Sequence, residues 1–374
     1  MEREFQPKTA GARERRRFLV PSAADCFTLH VHMARRTDIA EVAKNAKVSK
    51  STVSRVINGG YASAEVKARV AKVIAKLGYT PWTTARNFSL GRAGCFGLVM
   101  EDSQSEWITQ ILGGIEEELT AKHISLLVGS LVLKGTYDAT TVLSWVRERR
   151  VDGLIFARPG RRERTLVEAA RKAKVALALI TPDESFKSGA VLRSNNADAG
   201  REIADHLFEL GHRRIAFVGG PKESLDSQQR FEGLENGLKA HKVKLLTSNV
   251  IFAPRYHAEE GKIYAEKWLK MARSRAPTAV VLANDTMALG FMRTLHAQSV
   301  GIPRDVSVVG FDDIPAATLF WPGLTTVRQQ MRSMGAAACR TLLTALLEEQ
   351  PERSSLEFPM DLIVRQSTGP ARTT

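Results

Sequence analysis

From Cys95 onward, short apolar runs alternate with stretches of helical periodicity, and this alternation leaves few folds open to the chain. A run of three to five largely apolar residues is too short for a helix, and successive runs separated by amphipathic helices return the backbone to a parallel sheet. The runs fall at residues 96–100, 126–128, 153–156, 177–180, 214–218, 279–283 and 306–309. Helices are expected between and after them at 109–122, 166–173, 197–210, 229–241, 258–272, 285–298 and 332–348. At 374 residues the chain exceeds one ordinary core, so a small module ahead of a larger, bilobal domain is expected.

The charge is unevenly placed. Residues 1–94 hold about 18 basic and about 7 acidic side chains, roughly +11 of the formal +14. Such local basicity predicts a polyanion partner for the N-terminal quarter, although part of it could belong to a solvated tail. A hydrophobic content of 44% and a charged content of 25% are those of ordinary globular chains, which argues against the disordered and membrane classes. No run of 18 or more apolar residues is present, so no membrane partner is expected. Cys26, Cys95 and Cys339 lack any paired spacing, so neither a zinc site nor a disulfide framework is expected, and a reducing cytoplasm fits best.

Residues 1–34 show no periodicity and read as a disordered basic extension, with Met33 as an alternative start. Arg15-Arg16-Arg17-Phe18-Leu19 has the look of a twin-arginine export signal, but Pro21, Asp25, His30 and His32 break the apolar run such a signal needs. Residues 35–80 then form a helical module. Ile39, Val42, Ala43 and Ala46 fall at helical spacing, and Val48, Val53, Val56 and Ile57 resume it after a break. Ser49 is placed to cap the second helix, leaving Lys50, Ser51, Thr52, Ser54 and Arg55 exposed above an inward Val53 and Ile57. Asn58-Gly59-Gly60 ends that helix, and a third runs from about Ala64 to Leu77 with Val66, Val70, Val73, Ile74 and Leu77 as its inner stripe. A polar, basic helix on an apolar support suits the recognition helix of a helix-turn-helix, although many small helical bundles also carry surface serines and lysines.

The string from Asp38 to Ala43, followed by Val48-Ser49-Lys50-Ser51-Thr52-Val53-Ser54-Arg55-Val56-Ile57-Asn58, closely resembles the signature of the lactose and purine repressor family of bacterial transcriptional regulators. The resemblance implies that Lys50, Ser51 and Arg55 read bases while Thr52, Ser54 and Asn58 contact the DNA backbone. Arg55 is the expected guanine reader, since its fork can bond O6 and N7 together. Residues 81–94 resemble the family's hinge helix and linker, with Ala85 and Phe88 at DNA-contacting places. Phe88 stands where a leucine wedge is usual; Leu90 is the other candidate wedge, and Phe88 could instead pack on the sensor.

The resemblance extends to residue 366 through Gly211-His212-Arg213-Arg214-Ile215-Ala216-Phe217-Val218-Gly219-Gly220-Pro221, through Asn284-Asp285-Thr286-Met287-Ala288-Leu289-Gly290, and through Asp305-Val306-Ser307-Val308-Val309-Gly310-Phe311-Asp312-Asp313. It implies a bilobal, periplasmic-binding-protein-like sensor with parallel sheets over 95–366, followed by a polar tail at 367–374. In parallel sheets ligands bind beyond the carboxyl ends of strands, which draws attention to Glu101, Asp102, Thr181, Gly219, Gly220, Asn284, Asp285, Asp312 and Asp313. By the resemblance, Arg230, Asn284 and Asp312 bind a sugar-like effector and Tyr256 stacks on its ring. Thr181 replaces a common aspartate, which weakens the transfer of any particular sugar. Asn284 and Asp312 could equally serve as helix caps or loop ties.

No nucleophile elbow, Walker loop, dinucleotide fingerprint or histidine cluster appears, so neither catalysis nor a cofactor is expected. The expected assembly is a homodimer on double-stranded operator DNA, since the tail lacks apolar heptads that would bundle four chains. The competing readings are an exported sugar-binding protein, which would carry a cleavable signal instead of the helical module, and a nucleoid-type DNA binder with an inert core.

Overall fold

A computed structural model describes residues 37–57, 59–79, 91–101, 105–133, 135–183, 186, 189–348 and 354–372. The expected basic extension, and the hinge as far as residue 90, lie outside the described residues. The chain divides into two units, Met1–Trp82 and Thr83–Thr374.

In the first unit α1 (Ile39–Ala46), α2 (Lys50–Ile57) and α3 (Ala64–Leu77) match the sequence expectation. Side chains begin each helix. Asp38 accepts the Glu41 amide at 2.8 Å, Ser49 Oγ the Thr52 amide at 3.1 Å and Ser63 Oγ the Val66 amide at 3.4 Å. Val42, Ala43, Ala46, Val53 and Val70 are buried together, and Ile39, Val48, Val56, Ile57, Val66, Val73, Ile74 and Leu77 close around them. So small a core holds the helices only because every valine, isoleucine and leucine of the three points into it.

The second unit contains two parallel sheets, a small antiparallel pair of β3 (Val132–Leu133) and β4 (Thr136–Tyr137), and, among its helices, α5 (Thr140–Arg147), α6 (Arg164–Lys172) and the short α11 (Ala316–Leu319). Six strands, β1 (Cys95–Met100), β2 (Ser125–Ser130), β5 (Gly153–Ala157), β6 (Ala176–Ile180), β7 (Ala190–Ser194) and β13 (Ser355–Phe358), lie in the order β13-β7-β6-β5-β1-β2. Four more, β8 (Ile215–Gly219), β9 (Val250–Phe252), β10 (Ala279–Leu282) and β11 (Ser307–Val309), lie in the order β11-β10-β8-β9. Strands β1, β5, β6 and β8 are buried along their whole length, which is why they read as unbroken apolar runs. The chain passes between the sheets three times. It leaves β7 for α7 (Asn196–Glu209), returns from β12 (Thr326–Arg328) into α12 (Met331–Glu348), and leaves β13 again for β14 (Asp361–Ile363), which pairs antiparallel with β12.

Helices pack in pairs beside these sheets, some at backbone distance. In α4 (Glu106–Lys122) a Cβ on Gly114 would meet the Arg332 carbonyl of α12 at 1.9 Å, and one on Gly335 would meet the Ile111 carbonyl at 2.2 Å. The pair α9 (Ala258–Leu269) and α10 (Asp285–Ala297) repeats this, with Gly261 against the Met287 carbonyl and Gly290 against that of Ala258. Only glycine permits either contact.

Residues after 366, expected as a polar tail, are instead stitched into the second lobe as far as residue 372. Val308 donates to the Ser367 carbonyl and Ala371 to that of Leu210, both at 2.8 Å, and Ser367 is fully buried. The reason is backbone satisfaction: β11 is an edge strand, and this segment supplies partners to its exposed side. His212 anchors the same seam. Its Nδ1 lies 2.9 Å from Thr278 Oγ1, and its Nε2 lies 3.0 Å from both Ser307 Oγ and the Gly369 carbonyl oxygen.

Burial pushes the His212 imidazole down to about 4, with the Gly369 carbonyl pulling weakly the other way. The folded pKa therefore lies below the unfolded value, and acid draws protons to the unfolded chain. Stability should fall between about pH 6.5 and pH 4, by about 3 kcal/mol from this residue. A His212→Gln variant is expected to be less stable at neutral pH and to lose less on acidification, read from urea unfolding across that range. Parallel profiles for the two proteins would exclude the histidine as the source.

Candidate functional site

The first unit presents α2 as its polar face. Lys50, Ser51 and Arg55 are exposed, Thr52 and Ser54 are half-buried, and Val53 is fully buried beneath them. Ser49 Oγ lies 2.8 Å from both Ser51 Oγ and Thr52 Oγ1, so the hydroxyls form one chain at the helix start. Gly60 donates to the Arg55 carbonyl at 2.8 Å, and a Cβ there would strike Arg55 Cγ at 2.6 Å. The glycine thus leaves room for the arginine stem. Asn58, Ala85 and Phe88 lie outside the described residues.

In the second unit the carboxyl ends of the strands of both sheets meet across a cleft. Arg230, in α8 (Leu225–Ala240), is 2% exposed. Its Nε donates to Asn196 Oδ1 at 2.8 Å, its Nη1 donates to the Ala283 carbonyl and lies 3.9 Å from Asp312 Oδ1, and its guanidinium lies over the Phe311 ring. Asp312 has φ 115° and accepts from Gln329 Nε2 at 2.5 Å. Burial lifts its carboxyl to about 6, against the pull of Arg230, Arg158 and Gln329. Asn284 caps α10, accepting from the Met287 amide at 2.9 Å, and its Nδ2 donates to the Tyr256 carbonyl at 3.2 Å.

Tyr256 donates its hydroxyl to Ser224 Oγ at 2.8 Å, and its ring carries the guanidinium of Arg158 at 4.5 Å. A Cβ on Gly220 would come within 2.2 Å of the ring, so this glycine makes the tyrosine's seat. Thr181 is buried at φ 44°, with its Oγ1 unpartnered. The structure therefore gathers Thr181, Arg230, Tyr256, Asn284 and Asp312 in one cleft; Asp102 lies outside the described residues. Asp285 and Asp313, also at strand ends, are structural. Asp285 takes the Ile314 amide and the Thr326 hydroxyl, and Asp313 clamps Arg328 and Arg365. Burial and the Asp312 charge hold the Asp285 carboxyl well above its ordinary pKa.

Other cleft residues were missed in the sequence. Asp183 takes the Ser224 hydroxyl at 3.0 Å and the Leu225 amide at 3.2 Å, a latch from the first lobe to the start of α8. Gln329 binds Asp312 and also accepts from Ser194 Oγ at 3.1 Å, joining the cleft to two interlobe crossings. Arg158 reaches Tyr256 from the opposite lobe. Asp183 and Arg158 stand one to three residues past the ends of β6 and β5, so position alone could have flagged them; nothing in the sequence flags Gln329.

A three-helix unit with a polar second helix, followed by two α/β lobes closing on a buried polar cleft, defines a DNA-binding sensor of small molecules. Residues 38–81 match the family described as "Bacterial regulatory proteins, lacI family", and residues 204–368 match "Periplasmic binding protein-like domain". The chain thus carries the DNA-binding domain of the lacI family of regulators ahead of a periplasmic-binding-protein-like domain. It is 29% identical to the HTH-type transcriptional regulator DegA of Bacillus subtilis, across 90% of this chain and all of DegA. It is 28% identical to the ribose operon repressor of Halalkalibacterium halodurans, across 89% of this chain and 97% of that repressor. The lac repressor dimer bound to operator and the anti-inducer ONPF superposes with a TM-score of 0.76 at 25% identity, covering 90% of this chain and all of that one. These relatives are regulators rather than enzymes.

Arg230 has structural duties besides any ligand contact. Arg230→Ala is expected to destabilise the protein by about 3–5 kcal/mol, because it strips a buried carboxylate of its cation. The urea midpoint of the full chain reads this. A loss under about 1 kcal/mol would mean that the arginine is kept for ligand alone.

Proposed function

We propose that the chain is a transcriptional repressor that binds a near-palindromic operator as a homodimer and changes its affinity when a sugar-like effector occupies the cleft. The observation that carries this is the wiring of the cleft to the crossings between the lobes: Asp312, which faces the ligand space, shares Gln329 with Ser194 on another crossing. A ligand that competes for Asp312 or bridges the lobes changes how they meet, and only a difference in affinity between two such states can regulate DNA binding.

In this reading α2 enters the major groove. Arg55, Lys50 and Ser51 face bases, while Ser49, Thr52, Ser54 and Asn58 hold the backbone. Ala85 and Phe88 act in the minor groove, as the family resemblance implies. Effector contacts fall to Asp102, Thr181, Arg230, Tyr256, Asn284 and Asp312. The likeness to an operator-bound lac repressor dimer supports both DNA and the second copy as partners. Ile263, Leu319 and Trp321, exposed at 54%, 85% and 76%, give the second lobe apolar surface for that copy. A protein working on chromosomal DNA operates in the cytoplasm.

Footprinting on DNA upstream of the protein's own gene, with and without a panel of sugars, tests the proposal. A protected site of two half-sites, altered by one compound, is expected. Arg55→Ala should weaken protection by roughly ten- to a hundredfold, the value of a lost bidentate base contact. Absence of salt-sensitive protection, or unchanged protection with Arg55→Ala, would count against this reading.

A further inference from the structure

Among the described residues, four buried polar atoms without a hydrogen-bond partner belong to side chains at the cleft: Trp107 Nε1, Arg158 Nε, Thr181 Oγ1 and Ser227 Oγ. A buried polar group left unsatisfied is costly, so four such atoms on residues that follow the carboxyl ends of β1, β5, β6 and β8 mark where an absent partner belongs. Their chemistry describes that partner. The indole and guanidinium nitrogens can only donate, whereas the two hydroxyls donate or accept.

Arg158 is the centre of this set. Its backbone stands at φ 53°, and its guanidinium carbon lies 5.1 Å from the Trp107 ring and 4.5 Å from the Tyr256 ring. Aromatic faces attract the cation but leave the in-plane N–H donors unused. The nearby acids are engaged elsewhere. Asp183 holds Ser224 and Leu225, Asp226 accepts from Asn196, and Asp312 accepts from Gln329. Arg230, the arginine expected to hold effector, is itself tied to Asn196, Ala283 and Asp312. Burial opposes the charge on Arg158, but Tyr256, Asp226, Asp183 and Asp312 outweigh it, so the guanidinium remains a cation.

We propose that the effector is a polyhydroxyl compound bearing an oxyanion, a carboxylate or a phosphate, with that group on Arg158 and Trp107 and its hydroxyls toward Thr181, Ser227 and Asp312. This rests on the reading of the cleft as the effector site. A neutral hydroxyl could accept the hydrogen bond that Arg158 Nε has to give, but an oxyanion accepts it as a charge-assisted bond and has a second oxygen for the neighbouring nitrogen of the fork.

The test is calorimetric titration of the full chain with matched probes: glucose, glucuronate and glucose 6-phosphate, then ribose, ribonate and ribose 5-phosphate, with inorganic phosphate and acetate as bare anions. An oxyanion form is expected to bind at least about tenfold more tightly than its neutral parent, the scale of one charge-assisted hydrogen bond. Whether the acid or the phosphate ester gains more identifies the source of the oxyanion. Arg158→Met should abolish the preference, Arg158→Lys should retain part of it, and Trp107→Phe should weaken it while keeping the ring. The proposal is overturned if neutral parents bind as well as their anions, if Arg158→Met keeps the preference, or if every anion in the panel is silent. A neutral sugar that binds and alters the footprint would leave the regulator reading standing without the oxyanion. An intact footprint indifferent to every probe would remove the effector role itself.

Discussion

The sensor depends on one closed circuit of buried polar groups where the chain crosses between the lobes. Arg230 donates to Asn196, Asn196 donates to the Ser194 carbonyl, Ser194 donates to Gln329, Gln329 donates to Asp312, and Asp312 faces Arg230 again. All five residues are at most 5% exposed. In a low-dielectric interior such a circuit is favourable only while every member is satisfied, because a half-made network leaves charges and dipoles without water. The crossings that carry Ser194 and Gln329 are therefore held to a narrow set of geometries. The lobes inherit that restriction.

Closure across the cleft is made of weaker parts. Asp183 caps the start of α8 from the opposite lobe, and Arg158 rests on Tyr256. Both contacts can be surrendered one at a time, unlike the circuit at the crossings. Burial raises the Asp183 carboxyl even with Arg158 nearby, so the latch holds its charge at some cost. The wall of the cleft is thus poised, while its base is fixed. That division suits a sensor, in which a ligand must reorganise contacts between lobes without unfolding the joint that links them.

The three helices and the central strands were legible in the sequence because burial on both faces, or in one helical stripe, writes itself as a run or a period. The strands at 190–194, 250–252 and 355–358 were not. β9 and β13 are edge strands, and β7 beside one of them alternates buried Ala190 and Ser194 with half-buried Val191 and Arg193, so none forms a solid apolar run. In the cleft, Arg230, Asn284 and Asp312 were found by resemblance to a family, and strand ends pointed to Thr181. The strand end before Arg158 offered the same pointer, but Gln329 stayed hidden because its importance lies in the neighbours it shares, and that is fixed only when distant segments meet. The supposed tail shows the same limit: Ser367 and Gly369 look like loop residues until β11 needs partners.

The glycine contacts between α4 and α12, and between α9 and α10, bear on mechanics. Helices that touch backbone to backbone through reciprocal glycines have almost no side-chain cushion to compress. Each lobe consequently behaves as a stiff lever, and little of the work done by a ligand is dissipated in bending it. Any displacement at the cleft would then reach the far end of such a lobe with the same angle and a longer arm. Residues of the cleft wall such as Arg158 or Thr181 can then vary without touching those helix contacts.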